Sequence, residues 1–96
     1  MISYFIEFIG TFMFLSVTII TKNPYAIGLA LTTAILFGSK ISNTYFNPAV
    51  TLMMAMDNRI SYLEFFRQTV VQMFAAVAAF VYYKMVKSNN KHLWWR

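Results

Sequence analysis

Cysteine is absent from this 96-residue chain, and acidic residues are scarce, with three Asp or Glu against eight Lys or Arg. Without cysteine the chain has no disulfide framework, no thiolate metal site and no cysteine nucleophile. Charged residues make up 11% of the sequence, against about 25% in an ordinary soluble domain, and 59% is hydrophobic. These values exclude a disordered chain and argue against an independent soluble domain, which needs a polar surface. The sequence therefore predicts a small, all-α, multi-pass integral membrane protein.

The net charge of +5 does not indicate a nucleic-acid partner. Four of the basic residues lie in a tail at 84–96, and the others are isolated along the chain. Basic residues placed in this way are typical of the flanks of membrane-spanning helices, where they meet lipid headgroups. We therefore expect membrane lipids as partners, and no nucleic acid.

Charges divide the chain into apolar segments of different lengths. A spanning helix needs about 20 mostly apolar residues to cross a hydrocarbon core of about 30 Å. Three segments meet or approach this length, and the sequence predicts spans at about 2–21, 25–41 and 61–83. Together with the residues between them they form one membrane domain at 1–83, followed by the basic tail at 84–96.

A fourth apolar segment is too short to span. Asn47 followed by Pro48 is typical of a helix start, with the asparagine as N-cap and the proline as first helical residue. The helix predicted at about 48–56 is about 13 Å long, which is less than half of the hydrocarbon core. Because it is apolar on all sides, it is expected to be buried. Its polar, uncoiled lead-in then predicts a re-entrant half-helix, since such backbone is tolerated at membrane depth only inside protein or beside water.

The residues from Asn47 to Leu52 resemble the first Asn-Pro-Ala box of the aquaporin (major intrinsic protein) family. Three further features agree with that family: Glu7–Thr11 in the first helix, Gly28 in the second and Gln72 in the third. Members of the family contain two such halves with opposite orientations in one chain. This chain resembles the N-terminal half alone. It departs from the family at 43–45, where Asn-Thr-Tyr replaces the usual Gly-Ala-His.

The resemblance implies roles for individual residues. The glycines of the first two helices are expected to mark close contacts between helices. The box residues Asn47, Pro48 and Ala49 would line the pore. The residues at the pore mouths would be Ile27, Ile35, Thr44 and Val50. The loop before the box would be supported by Glu7, Tyr45 and Gln72.

One copy of the chain cannot enclose a pore, because a half-helix that reaches the midplane leaves half of the bilayer depth without a lining. A second, inverted copy would supply the missing half, which predicts an antiparallel homodimer. Dual insertion requires a weak orientation bias, and the expected topology places three Lys or Arg on one side and five on the other. The predicted function is passive passage of water, with glycerol and urea as candidate solutes. Loop carbonyls from about Asn43 to Phe46 would accept hydrogen bonds from the solute.

Two other classes stay open at this point. One is a non-conducting half-channel with an accessory or structural role, and the other is a holin-like protein that forms membrane lesions. The sequence contains no nucleophile–base pair, paired carboxylates or metal-ligand cluster, so we expect neither an enzyme nor a cofactor or metal.

Overall fold

The computed structural model describes residues 2–41 and 44–89, and within these ranges the chain is helical with no strand. Two helices, the first and the last, are long and apolar enough to cross a membrane. The four helices are α1 (Ile2–Thr21), α2 (Pro24–Gly38), α3 (Pro48–Met56) and α4 (Tyr62–Asn89).

Local sequence explains where three of the helices begin. Asn23 and Asn47 are N-caps, each followed by a proline at the first helical position, where the missing N–H costs nothing. Ser61 precedes α4, and its hydroxyl accepts a hydrogen bond of 3.0 Å from the backbone N–H of Glu64. The turn between α1 and α2 is only two residues long because Lys22 adopts a left-handed conformation with φ of 54°.

Helix α1 lies at the centre of the fold, where it packs against both α2 and α4, while α3 packs against α4. Contacts at three levels show that α1 and α4 run parallel: Tyr4 bonds to Glu64, Glu7 to Gln72, and the rings of Phe12 and Tyr82 lie 5.8 Å apart. Helix α2 runs back antiparallel to α1. The fold is elongated, with a long axis of 49 Å.

Two helix bounds differ from those expected. Helix α2 has 15 residues and ends at Gly38, so it is about 23 Å long and shorter than the predicted span at 25–41. It ends there because Ser39 caps it and a turn follows, in which the N–H of Ile41 donates to the carbonyl of Gly38 over 2.9 Å. Helix α4 continues to Asn89 and thus into the predicted tail at 84–96. No glycine or proline interrupts it there, and residues 90–96 lie outside the described ranges.

The polarity of the interior is reversed relative to that of a soluble domain. The largest fully buried side chains are polar: Gln72, Glu7, Thr11 and Thr51. The outside carries large apolar side chains instead, such as Phe37 at 71% and Phe66 at 63% exposed. This arrangement suits a lipid environment, in which polar groups must find partners inside the protein.

Candidate functional site

The carboxyl group of Glu7, which is 1% exposed, is the centre of the candidate site. Its Oε1 accepts hydrogen bonds from the backbone N–H of Phe46 and, at 2.9 Å, from the Nε2 of Gln72. Its Oε2 lies 3.4 Å from the backbone nitrogen of Tyr45. The structure thus brings together Glu7, Tyr45 and Gln72, the three residues for which the resemblance implies a supporting role.

Thr51 connects this carboxyl group to α3. Its Oγ1 accepts a hydrogen bond of 3.0 Å from the Nε2 of Gln72 and donates one of 2.8 Å to the carbonyl of Asn47. One buried chain of bonds therefore joins α1, the loop, α3 and α4. Sequence reasoning named Thr51 only as part of the box. Its position four residues after the helix cap was the available signal, because a threonine there can bond back to the cap carbonyl.

Phe46 holds the loop in a strained conformation. Its φ is 55°, which is unusual for a bulky residue and costs about 1–3 kcal/mol. The residue is 2% exposed, and its ring covers Gly10, where an added Cβ would lie 2.3 Å from the ring edge. Gly10 was expected to mark a contact between helices, and the structure corrects this because its close neighbour is the loop. Gly28 has no neighbour within 4 Å of an added Cβ, so it marks no such contact within one copy, whereas an added Cβ at Gly38 would lie 3.0 Å from Ile6 of α1, as expected.

Asn47 stands at the end of this network and is exposed. Its Oδ1 accepts a hydrogen bond of 2.8 Å from the backbone N–H of Ala49, which caps α3. An acceptor role for Oδ1 fixes the orientation of the amide, so Nδ2 carries two donors. These donors bond to no residue within the described ranges, and they are available to a ligand on the open side of α3.

The start of α3 lies about a third of the way along α4. Gln72 is the residue of α4 that reaches α3 through Thr51, and it is ten residues from the start of α4 at Tyr62. Ten residues correspond to about 15 Å, which is about half of a hydrocarbon core. From this level α3 runs back toward the start of α4, to which a short turn connects it.

The residues predicted at the pore mouths are not gathered in one place in a single copy. Ile27 and Ile35 are eight residues apart in α2, or about 12 Å along its axis. Val50 is half-buried in α3, and the methyl group of Thr44 lies 2.5 Å from an added Cβ at Gly38. Asn43, whose carbonyl is the first of the predicted hydrogen-bond acceptors along the pore, lies outside the described residues.

A second polar cluster, which sequence reasoning missed, joins the first turns of α1 and α4. Glu64 accepts hydrogen bonds from the hydroxyl of Tyr4 at 2.7 Å and from the Nε2 of Gln68 at 3.0 Å. Arg67 lies 3.9 Å from the same carboxyl group. Within 2–41 and 44–89, no three His, Asp or Glu side chains are close enough to hold a metal ion.

No protein-family model, curated protein or solved structure matches the chain. The resemblance to aquaporins therefore rests on the residues of the box, on Glu7 and on Gln72, and membership of that family stays a hypothesis.

Proposed function

We propose that two copies of this chain, inserted in opposite orientations, form an aquaporin-like channel for water and small uncharged solutes. The observation that carries the proposal is the position of Asn47. Its carbonyl is held about 15 Å from the start of α4 by the bond from Thr51, the preceding residue Phe46 is held by Glu7, and its Nδ2 donors are open. A polar group with unused donors at this depth is costly unless it serves a partner or a solute.

The proposal treats α1, α2 and α4 as spans and α3 as a re-entrant half-helix. Helices α1 and α4 are long enough to span, whereas α2 reaches the interfaces through the residues that flank it, including Lys22 and Lys40. The inverted copy would bring a second α3, and the two N-termini would meet near the midplane. It would also cover the outer side of α3, where Met53 is 55% and Met56 is 65% exposed.

The expected barrier to ions follows from this geometry. Each helix N-terminus carries about half a positive charge, so two of them at the midplane repel cations, hydronium included. A water molecule at this level would accept hydrogen bonds from the Asn47 amides through its oxygen. Its own hydrogens then point away in both directions, which interrupts proton transfer along the file.

Selectivity at the mouths is expected to depend on size and neutrality. Val50 stands where the second half of an aquaporin typically has arginine, and Ile27 is its neighbour in the proposed mouth. With Ile35 and Thr44 from the inverted copy, each mouth lacks a cation and has few hydrogen-bond donors. The twofold axis makes both mouths equivalent.

Swelling of proteoliposomes tests the proposal directly. Vesicles that contain only this protein should shrink and swell faster than empty vesicles in stopped-flow light scattering, with sucrose for water and glycerol for solute passage. An unchanged water permeability at measurable protein content would refute the channel and favour the accessory alternative. Leakage of a trapped dye would instead indicate a lesion-forming protein.

Two variants of Asn47 separate the cap from the pore donors. Asn47→Ser keeps an oxygen that can cap α3 but removes both amide donors, so the helix should persist while the proton barrier weakens. Asn47→Asp also keeps the cap and adds negative charge, so cation conductance in planar bilayers should rise above that of the serine variant. Equal conductance of the wild type and both variants would contradict the proposed central barrier.

The inverted arrangement has its own test. A protease-cleavable tag at the C-terminus should be accessible from both sides of sealed cell membranes in comparable amounts. If more than about nine-tenths of the tags lie on one side, the weak charge bias does not permit dual insertion and the antiparallel homodimer is wrong.

A further inference from the structure

We infer that the last turns of α4 bind the phosphate headgroup of an anionic phospholipid, with Lys84 and Lys87 as the cationic contacts. This inference goes beyond the proposed channel, and it requires only that α4 crosses the membrane. Both lysines are exposed on described turns of the helix, and no proline or glycine separates them from the apolar part.

Within residues 2–41 and 44–89, neither lysine forms an ion pair with an acidic side chain. The sequence contains three acidic residues, which are Glu7, Asp57 and Glu64. Glu7 is enclosed by the loop and Gln72, Asp57 forms an ion pair with Arg59, and Glu64 belongs to the cluster at the first turn of α4. Twenty residues separate Glu64 from Lys84 along α4, which is about 30 Å. No carboxyl group of the described residues is therefore within reach of these lysines, so both are available to an anionic lipid.

Their level along α4 matches the headgroup layer. Residues 68–83 carry no Asp, Glu, Lys or Arg and cover about 24 Å, and Lys84 is the first charged residue after them. From Lys84 to Ser88 the helix rises a further 6 Å or so, close to the thickness of one headgroup layer, about 5–8 Å.

Toward the end of α4 this surface changes from apolar to polar, in the same order as a phospholipid changes from acyl chain to headgroup. One open face of α4 presents Phe80, Val81, Lys84, Met85 and Ser88. Its lower end is apolar and suits an acyl chain, and its upper end offers an ammonium group and a hydroxyl. The Nζ of Lys84 lies 5.7 Å from the ring centre of Phe80, so the cation stays at the boundary of the two ends.

An inverted second copy is a weaker candidate for the missing anion. It would bring its own Asp57 and Glu64 to the same membrane face, but both already have cationic partners in Arg59 and Arg67. Each face of the dimer would then carry eight Lys or Arg and two acids, an excess that favours anionic lipid over protein contacts.

Spin-label electron paramagnetic resonance measures this preference. The full chain is reconstituted into phosphatidylcholine vesicles with a trace of spin-labelled phosphatidylglycerol or spin-labelled phosphatidylcholine, and the motionally restricted fractions are compared. Wild type should prefer phosphatidylglycerol severalfold, because both lysines attract an anionic headgroup. The double variant K84Q/K87Q should lose most of this preference, whereas R59Q/R67Q, which removes the same charge at two residues that already have acidic partners, should keep it.

Three results would overturn the inference: no preference in the wild type, an unchanged preference in K84Q/K87Q, or an equal loss in both double variants. The second result together with a smaller dimer fraction of K84Q/K87Q would assign the lysines to the inverted copy. Circular dichroism of each variant checks that the helices are intact. Because the readout does not depend on water flow, a failed swelling assay leaves it interpretable.

Discussion

The two sides of α3 differ in how completely they are packed. On the inner side, Thr51 and Ala55 are buried against α4, and the side chain of Thr51 forms two hydrogen bonds. On the outer side, Leu52, Met53 and Met56 are between 40% and 65% exposed. One side of this nine-residue helix is therefore packed within the single copy, and the other side is exposed.

This difference shows which side of α3 a single copy stabilises and which side its own contacts leave exposed. The inner side fixes the level and direction of α3 through polar bonds that are costly to break in a dry interior. Contact between the outer side and lipid contributes little to stability, because lipid tails are as apolar as the side chains. Substitutions on the inner side should therefore lower the stability of the single copy.

The largest effect is expected at Glu7. Glu7→Leu removes the acceptor for two backbone N–H groups, each at about 1–3 kcal/mol when left buried without a partner, while Gln72 keeps its bond to Thr51. We expect a loss of at least about 2 kcal/mol, measured as a lower midpoint of unfolding in detergent micelles followed by circular dichroism. Glu7→Gln, which keeps one oxygen, should lie between leucine and the wild type.

Glu64 provides the control for that prediction. Its carboxylate accepts hydrogen bonds from the side chains of Tyr4 and Gln68. Because the side chain of Glu64 is 25% exposed, these two donors can bond to water when the carboxylate is removed. Glu64→Gln should cost about 1 kcal/mol or less. Equal losses at both positions would contradict a special role for the buried carboxyl group.

The next largest effect is expected at Gly10. Gly10→Ala places a methyl group 2.3 Å from the ring of Phe46, and overpacking of this kind costs about 1–3 kcal/mol. Gly28→Ala is the matched control, because it meets open space within one copy and gains about 0.5–1 kcal/mol of helix propensity. The unfolding midpoints of the two variants should move in opposite directions, and a parallel shift would show that Phe46 is not what limits position 10.

A smaller effect is expected at Thr51. Thr51→Val keeps the shape of the side chain but removes the bond to the carbonyl of Asn47 and the acceptor for Gln72. Since Gln72 keeps its bond to Glu7, the loss should be about 1 kcal/mol. Thr51→Ser retains the hydroxyl and should restore most of it in the same unfolding measurement. A serine variant as unstable as the valine variant would assign the effect to packing of the methyl group.

Much of the local structure could be predicted from the sequence, because it depends on neighbouring residues. Asn47-Pro48 indicated the start of α3, and the apolar segments indicated the approximate extent of α1 and α4. The end of α2 was missed by three residues, because Gly38 was taken as a contact between helices and not as a signal for the end of the helix. The continuation of α4 past Lys84 was missed because charge was taken as the end of the helix.

The site could be predicted in part. Glu7 and Gln72 were named from a resemblance, and the structure places their side chains 2.9 Å apart. The strained backbone of Phe46 could not be foreseen, because a positive φ at a phenylalanine is disfavoured locally and persists only through tertiary bonds. The cluster around Glu64 was missed for a similar reason, since Tyr4 and Glu64 are distant in sequence.

The smallest effect is expected at the exposed turn after α3. The Nε of Arg59 lies 2.8 Å from the carboxyl group of Asp57, with side chains 66% and 64% exposed, and such surface pairs contribute about 0–1 kcal/mol. Asp57 also follows the C-terminus of α3, where a negative charge is unfavourable by a few tenths of a kcal/mol. In Asp57→Asn the two terms oppose each other, so the unfolding midpoint in micelles should stay within about 0.5 kcal/mol of the wild type, at low and high salt alike. A loss above about 1 kcal/mol that disappears in 1 M salt would mean that Asp57 pairs with a charge beyond its own turn. In the proposed dimer, the basic tail of the inverted copy would supply such a charge. The turn after α3 would then be covered by the second copy, as is proposed for the exposed side of α3.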